Sequence, residues 1–387
     1  MKRRFERGTV RAVIGEMGGG RELLVDLNGK SERAFEEQDV CVRAEVGDTV
    51  LLNTTGVRLG LGTGGVHFVV SAWEKAGLGN HDATELPGHI MKLRYTPLQR
   101  AVHAVEEQDH PLHEHIVAHE SLDHVPVVIC ELHSMVPAVA MSLQYELKQS
   151  GQAPCRIAYV MTDGAALPIA FSKTVRALKE LGLLSGTVTV GHAYGGDLEA
   201  VNLYSGLLAA KHAMEADVII VAMGPGIVGT ATKYGHTGIE VGQVVNAVHT
   251  LGGDPIVVPR LSFADPRPRH QGISHHTLTA LGQVALAKAT VPLPNLTDEE
   301  TAQIFKQIRS ANLHDKHQLV GVSGRSILDA ANHFQVPLRT MGRTLQEDPA
   351  FFFAAGAAGE WTSRLIKKPL RHHAVRSSAG ALLADKN

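Results

Sequence analysis

Cysteine is scarce in this chain of 387 residues, which contains three, at positions 41, 130 and 155. They are far apart, odd in number and form no Cys-x-x-Cys pair. We therefore expect reduced thiols in the protein core, and neither a disulfide framework nor a thiolate zinc site. Aromatic residues are also few, at 5% of the chain.

An excess of one charge is missing as well, since the formal net charge is −2. This balance predicts no nucleic-acid partner and no anionic membrane partner. No apolar run approaches the roughly eighteen residues that a membrane span needs. The first residues, MKRRFERGTVRAV, carry positive charges without an apolar stretch behind them, so we expect a cytoplasmic protein.

Glycine and histidine are abundant, with 39 and 22 residues. Many tight turns between strands and helices, packed with small side chains, would produce the glycine content. Histidine is both a common metal ligand and a common general base. Abundance alone does not decide between these two roles.

The N-terminal part, residues 1–75, is predicted to be a small β-barrel or sandwich. Short runs such as ELLVDLN, DVCVRA, DTVLLN and VHFVVSA alternate apolar and polar residues between turns. Residues 76–100 form a bridging segment that contains Lys92, Arg94 and Tyr95. Two interpretations of that polar run stay open: it reaches into a site between domains, or it is a solvated edge strand.

Residues 101–366 are predicted to form an α/β domain, and residues 367–387 a disordered tail. Six apolar runs follow one another, and the first five begin at intervals of about 30 residues, the length of a strand–helix–strand unit. The runs are VPVVIC, RIAYVM, TVTVGH, DVIIVAM, DPIVVPRLSF and QLVGVS. They predict a doubly wound, mostly parallel, Rossmann-like sheet of about six strands with helices on both faces. Strand order cannot be deduced from one sequence.

Polar side chains or glycines follow the end of every predicted strand. Ligands of open α/β sheets bind outside these carboxyl ends, so we expect the functional site there. The candidates for acid–base or other catalytic roles are Asp163, His192, Asp197, His236, His270, His275 and His276. The candidates for holding an anionic ligand are Ser134, Gly224, Gly226, Gly229, Lys233, Arg267 and Arg269.

The glycines at 224, 226 and 229 follow a predicted strand in a formal Gly-x-Gly-x-x-Gly pattern. The pattern departs from a dinucleotide-binding motif, because TATKYGHTG separates it from the next helix, which we expect from about Gly238. A cradle of backbone amides for phosphate or carboxylate, with Lys233 nearby, fits better. A tight turn that needs glycine only for its backbone angles is the alternative.

Histidines and carboxylates near the strand ends raise the hypothesis of a divalent metal, with candidates His192, Asp197, Asp265 and His270. No spacing matches a known metal motif, so the cofactor stays unknown. In an alternative interpretation His275 and His276 cap a helix, together with Ser274. The run HEHIVAHE favours a solvated helix, since it does not match the zinc-protease pattern.

The chain resembles a bacterial protein family known as a domain of unknown function. The resemblance is carried by GHIMKLRYTPLQ, ELHSMVP, MTDGAALP, GHAYGGDLEAVNLYSGL, MGPGIVGT and RLSFADPR with RHQGISHHT. It extends from the β domain to about Leu365. It implies a bacterial cytoplasmic protein, and it brings no activity, cofactor or catalytic residue.

Two functional hypotheses follow. The first is an enzyme, a hydrolase or transferase, that acts on a small anionic metabolite at the strand ends. The second is a non-catalytic protein that binds or senses a metabolite or serves as a scaffold. A homodimer is a further hypothesis, because α/β proteins of this size often pair.

Overall fold

A computed structural model describes residues 4–17, 19–37, 43–60, 64–75, 88–165 and 167–367. The N-terminal strands close into a barrel with the order β1-β2-β3-β5-β4, in which β1 also pairs with β4. Alternate side chains such as Leu23, Val25 and Leu52 fill its interior. The strands are β1 (Phe5–Met17), β2 (Gly20–Leu27), β3 (Lys30–Glu37), β4 (Thr49–Asn53) and β5 (Val66–Ala72), with a short helix α1 (Thr55–Arg58).

The barrel resolves the choice between barrel and sandwich that the sequence left open. Strand β3 was not predicted, because its sequence KSERAFEE is mostly polar. It nevertheless buries Ala34 and Phe35. The predicted strand DVCVRA lies mostly outside the described residues, as does the centre of the glycine run LGLGTGG.

The bridging segment is described from residue 88 onward and forms a hairpin of β6 (Ile90–Lys92) and β7 (Arg100–Val102). The Lys92 side chain is buried, and its ammonium donates to the carbonyls of Thr189 and Ala193 and to the Glu199 carboxylate at 2.6 Å. Lys92 thus fastens the hairpin to the α/β domain. Tyr95 points to solvent.

The α/β domain contains an eight-stranded sheet in the order β11-β10-β9-β12-β8-β13-β16-β17, and all of its neighbouring strands are parallel. The strands are β8 (Pro126–Cys130), β9 (Ile157–Thr162), β10 (Gly186–Val190), β11 (Leu198–Ala200), β12 (Val218–Met223), β13 (Asp254–Val258), β16 (Thr290–Pro294) and β17 (Gln318–Val322). Two small hairpins pair β14 (Leu261–Ser262) with β15 (Gly272–Ile273), and β18 (Arg339–Thr340) with β19 (Arg343–Thr344).

Helices cover both faces of the sheet. Helices α3, α10 and α11 pack together, whereas α5 and α6 form a second group with the turn at Ala280–Val284. Crossovers between parallel strands are almost always right-handed, so those that run in opposite directions along the sheet are expected on opposite faces. The helices are α2 (His113–Val117), α3 (Val136–Gln149), α4 (Lys173–Glu180), α5 (Leu203–Leu208), α6 (Glu240–Thr250), α7 (His275–Thr279), α8 (Asp298–Ser310), α9 (Leu313–Lys316), α10 (Ser326–Phe334) and α11 (Pro349–Lys367).

All six predicted strands are present, and the Rossmann-like fold class is confirmed. The sequence missed β11, a three-residue edge strand, and β16. Strand β16 contains Pro292 and Pro294, which donate no backbone hydrogen bond and so mask the strand pattern. It pairs with β13 only at Ile256 and Thr290. The predicted tail lies outside the described residues beyond position 367.

The strand order creates two switch points at the carboxyl ends of the strands, and we call each of them a crevice. The chain leaves β9 toward β10 and leaves β12 toward β13, so the connections diverge between β9 and β12. They diverge again between β8 and β13. Such switch points are where open α/β sheets bind ligands. None of the helices in the described part of the chain is both long and apolar enough to cross a membrane.

Helix α11 packs across α3 at a close contact that glycine permits. A β-carbon at Gly359 would lie 2.7 Å from the Val139 carbonyl oxygen and 2.8 Å from the Ser142 β-carbon. Both positions are fully buried in the core. A side chain at Gly359 would therefore push the two helices apart.

We predict that Gly359→Ala lowers the free energy of unfolding by about 1–3 kcal/mol, the usual cost of overpacking a core. The matched control is Gly321→Ala, because a β-carbon at Gly321 meets nothing within 4 Å. Urea denaturation of both variants measures the difference. Equal stability of the two variants would contradict the close contact between α3 and α11.

Candidate functional site

A buried ion pair occupies the crevice between β8 and β13. Glu131 directly follows β8, and Arg260 lies two residues after β13. One Arg260 guanidinium nitrogen is 3.3 Å from a Glu131 carboxylate oxygen, and the exposed fractions of the two side chains are 5% and 1%. Charges buried this deeply cost free energy unless further hydrogen bonds satisfy them.

Helix α7 supplies those hydrogen bonds. The Thr277 hydroxyl donates to Glu131 at 2.7 Å, and His276 Nδ1 lies 3.0 Å from the other Glu131 oxygen. Burial alone would raise the pKa of Glu131, but the bond from His276 and the charge of Arg260 outweigh it and hold that pKa at about 2. The ionised carboxylate only accepts, so His276 carries a proton on Nδ1.

Three more histidines surround His276, and we call the four rings the histidine centre. The His236 ring stacks on His276 with a centroid distance of 3.9 Å and an angle of 8°. The His275 and His270 centroids lie 4.4 Å and 5.0 Å from that of His276. Ser274 caps α7, as the alternative interpretation predicted, and its hydroxyl also contacts His270 Nδ1 at 2.8 Å.

Three of these histidines, His236, His270 and His275, are kept neutral. Burial, with the charges of Arg260 and Arg267, lowers the pKa of His270 to about 3. Burial and the neighbouring imidazoles lower the pKa of His275 to about 4, and burial lowers that of His236. Neutral imidazoles can accept a proton or bind a metal at physiological pH.

Asp265 anchors the loop that carries the histidine centre. Arg267 binds it with two hydrogen bonds, of 2.8 Å and 2.7 Å. Arg260 and Arg343 lie within 3.8 Å and 3.6 Å of the same carboxylate, and Arg343 also bonds Asp348. Asp265 and Arg267 were both predicted as site residues. Their carboxylate and guanidinium groups therefore pair with each other.

The crevice between β9 and β12 holds a second polar group. Asp163 accepts the His192 backbone N–H at 3.0 Å, and His192 Nδ1 accepts the Leu93 N–H at the same distance. Burial raises the pKa of Glu240 to about 7, and the charge of Asp163 adds to the rise. Asp197 lies apart from both crevices, where it accepts from Thr187 and pairs with Lys179.

A cleft adjoins the ends of β8 and β12. It has a volume of about 390 Å³ and contains Ser134, Gly224, Gly226 and Arg339. A second cleft, of about 260 Å³, lies against the barrel and is lined by Arg33, Phe35, Phe171 and Lys173. The two share His133, Thr174 and Pro225, so they form one joint between barrel and sheet.

The remaining predicted residues lie around this joint and the histidine centre. Ser134 donates to the Thr340 hydroxyl at 3.2 Å. Lys233 and Arg269 are exposed, and Lys233 lies over the Tyr234 ring. Gly229 packs against the centre, because a β-carbon there would lie 2.9 Å from His276 Nε2.

Sequence reasoning assigned no role to Glu131, Arg260, Glu240 or Arg339. Arg260 had a usable signal, since it is a lone charge inside the apolar run PIVVPRLSF and such charges are usually buried with a partner. Helix α6 begins at Glu240, well after the glycines, as the departure from a dinucleotide motif predicted. Arg339 had no signal, because only the fold brings β18 to the cleft.

The fold and these sites define a doubly wound α/β protein with a closed β-barrel at its N-terminal side and polar crevices at its strand ends. The chain belongs to the family described as protein of unknown function (DUF3866), whose profile matches residues 33–359. That match spans both crevices and the cleft. No curated protein and no solved structure matches the chain.

We predict that Arg260→Met destabilises the protein by about 3–5 kcal/mol, because it leaves the Glu131 charge buried without its cationic partner. The matched control is Arg269→Met, an exposed arginine of the following loop, with an expected change within about 0.5 kcal/mol. Chemical denaturation at neutral pH measures both. Similar losses in the two variants would show that the ion pair is not what stabilises this crevice.

We also predict a pH effect at His133, whose nitrogens lie 3.0 Å from the Tyr159 hydroxyl and 2.7 Å from the Ser172 hydroxyl. Burial lowers the pKa of His133 from 6.5 to about 4. Below pH 6.5 the unfolded chain binds a proton that the folded chain does not, so acid reduces stability by up to about 1.4 kcal/mol per pH unit.

His133→Gln removes this contribution. The free energy of unfolding should therefore fall less steeply between about pH 6.5 and pH 4.5 in the variant than in the unmodified chain. Denaturant titrations across this range give the two slopes, and far-UV circular dichroism at neutral pH checks the fold. Identical slopes would mean that His133 is not held neutral.

Proposed function

We propose that the protein is an enzyme, a hydrolase or transferase, that acts on a small anionic molecule at the carboxyl ends of its sheet. The observation that carries the proposal is the histidine centre. It places three neutral imidazoles and the His276 ring on a buried Glu131–Arg260 pair, at a switch point where such sheets bind ligands. A purely structural core does not need this costly arrangement.

Charge supports an anionic ligand. The joint between barrel and sheet is lined by three cationic side chains, Arg33, Lys173 and Arg339, against one carboxylate, Glu22. Glu22 already pairs with Arg33 and Lys173. Arg339 is exposed in the cleft and is the best placed to bind a phosphate or carboxylate through its planar fork of donors.

One loop connects the anion-binding cleft with the histidine centre. Residues 224–226 line the cleft, Gly229 contacts His276, and His236 completes the centre. A ligand held at the glycines thus lies on the loop that carries His236 and contacts His276, two imidazoles that would transfer a proton. Glu240, whose pKa burial raises to about 7, offers a second acid–base group at the neighbouring crevice.

A non-catalytic metabolite-binding protein is the second candidate. The observation in its favour is that His133, which lines both clefts, has contacts to hydroxyl groups at both ring nitrogens. Arginines and backbone amides alone suffice for binding, whereas catalysis needs titratable groups at the ligand. Turnover decides between the two candidates.

The test uses the full chain with panels of phosphorylated and carboxylated metabolites. Thermal shift identifies a binder, and product analysis then measures turnover. We expect Arg339→Gln to weaken binding at least tenfold through loss of a charged hydrogen bond. His275→Gln and His276→Gln should reduce turnover at least a hundredfold while binding is retained, since general acid–base groups contribute about 10²–10⁴-fold.

The controls are Arg309→Gln on α8 and His115→Gln on α2, two exposed side chains outside both clefts. Both should leave binding and turnover unchanged. A ligand that binds without any turnover would favour the sensing protein. Full turnover in His275→Gln and His276→Gln would place the chemistry elsewhere.

A further inference from the structure

Three members of the histidine centre have ring nitrogens close enough to one another to be ligands of one metal ion. His236, His275 and His276 each offer one ring nitrogen, and these three atoms lie within 4.8 Å of one another. Two elements supply them: the loop after β12 carries His236, and the first residues of α7 are His275 and His276. His236 and His276 are buried, with exposed fractions of 7% and 3%.

In two of these rings, one nitrogen makes a hydrogen bond and the other nitrogen is left available to bind a metal. His276 donates from Nδ1 to Glu131, and His236 Nε2 lies 3.1 Å from the Lys233 carbonyl oxygen, which can only accept. The nitrogens not used by these hydrogen bonds are therefore Nε2 of His276 and Nδ1 of His236. Histidines that bind metals characteristically donate their other N–H to a carboxylate or a backbone carbonyl, which orients the ring.

Unsatisfied nitrogens at the same place point to a ligand. His236 Nδ1 and His275 Nε2 are both buried and have no hydrogen-bond partner among the described residues. A buried polar atom without a partner costs free energy, and each such atom in a folded protein needs an explanation. An ion between the three rings would satisfy both atoms.

We propose that His236, His275 and His276 bind a divalent transition-metal ion, with Glu131 as the carboxylate that orients His276. Three imidazoles favour Zn²⁺ and its neighbours Co²⁺, Ni²⁺ and Cu²⁺ over Mg²⁺ or Ca²⁺, which prefer oxygen ligands. Three protein ligands with an open fourth position are typical of catalytic zinc sites. The role that we give to the metal site rests on the proposed function, but the test of the site measures bound metal and not turnover.

The stacking of the His236 and His276 rings has a consequence for metal binding. A histidine lone pair lies in the ring plane, and the planes of His236 and His276 are parallel within 8° at a centroid distance of 3.9 Å. Two such rings cannot both point at one ion. Metal binding therefore requires the His236 ring to turn, and since its contact to Lys233 lies in the loop 224–237, that loop should change when the ion binds.

The first measurement is the metal content of the full chain, purified without an affinity tag or chelator, by elemental mass spectrometry. We expect about one transition-metal ion per chain, or one after incubation with Zn²⁺. Cobalt substitution should give the visible absorption of a tetrahedral ion with nitrogen ligands. Hydrogen exchange of residues 224–237 should differ between metal-loaded and metal-free protein.

Variants then locate the ion. His275→Gln and His276→Gln should each lower zinc affinity at least a hundredfold, and Glu131→Gln by about 10–100-fold, as expected for an orienting carboxylate. The matched controls are His115→Gln, His119→Gln and His212→Gln. These histidines form a surface group, in which the ring centroids of His115 and His119 are 4.8 Å apart and those of His119 and His212 are 4.1 Å apart. These controls should retain the ion.

Two results would overturn the proposal: no ion bound after incubation with zinc, cobalt, nickel and copper, or loss of the ion only in the surface controls. If a variant of the centre fails to fold, the cobalt spectrum of the unmodified chain decides alone. If the chain binds an ion but turns over no substrate, the metal site is supported and the proposed enzymatic function is refuted. Turnover by a chain that binds none of the four ions would refute the metal site and support the enzyme.

Discussion

The contact between Glu131 and Arg260 is the interaction on which the rest of the site depends. It joins the ends of β8 and β13, and through His276 and Thr277 it fixes α7 against the sheet. The carboxylate also sets the tautomer of His276. A single buried charge pair thus positions the loops, orients an imidazole and balances the charge of the crevice.

Around this pair, the order of the strands decides which residues meet. Strand β12 inserts between β9 and β8, so the loop that follows it lies between the two crevices. Its first residues line the cleft and its last, His236, reaches the histidine centre. At most fourteen residues of backbone, residues 224–237, connect the two places.

The sequence predicted the fold better than the site, for physical reasons. Buried parallel strands are continuous apolar runs, and all six such runs form strands, whereas β16 was hidden by its prolines and β3 by its polar residues. The abundance of histidine in one stretch drew attention to His270, His275 and His276. Their partners could not be predicted, because Glu131 and Arg260 become neighbours only through the strand order, and Asp265 is engaged by arginines that lie far apart in the chain.

The position of α11 has a consequence for biosynthesis. This helix, Pro349–Lys367, contacts β8, β13 and β16 as well as α3, so it closes the core of a sheet whose strands are all made before it. Arg343 and Asp348, just before it, complete the network around Asp265. A ribosome-bound chain that has not yet released residues 343–367 exposes one face of the sheet and an incomplete crevice. The barrel, by contrast, can close as soon as its own strands emerge, so the two parts should fold at different times.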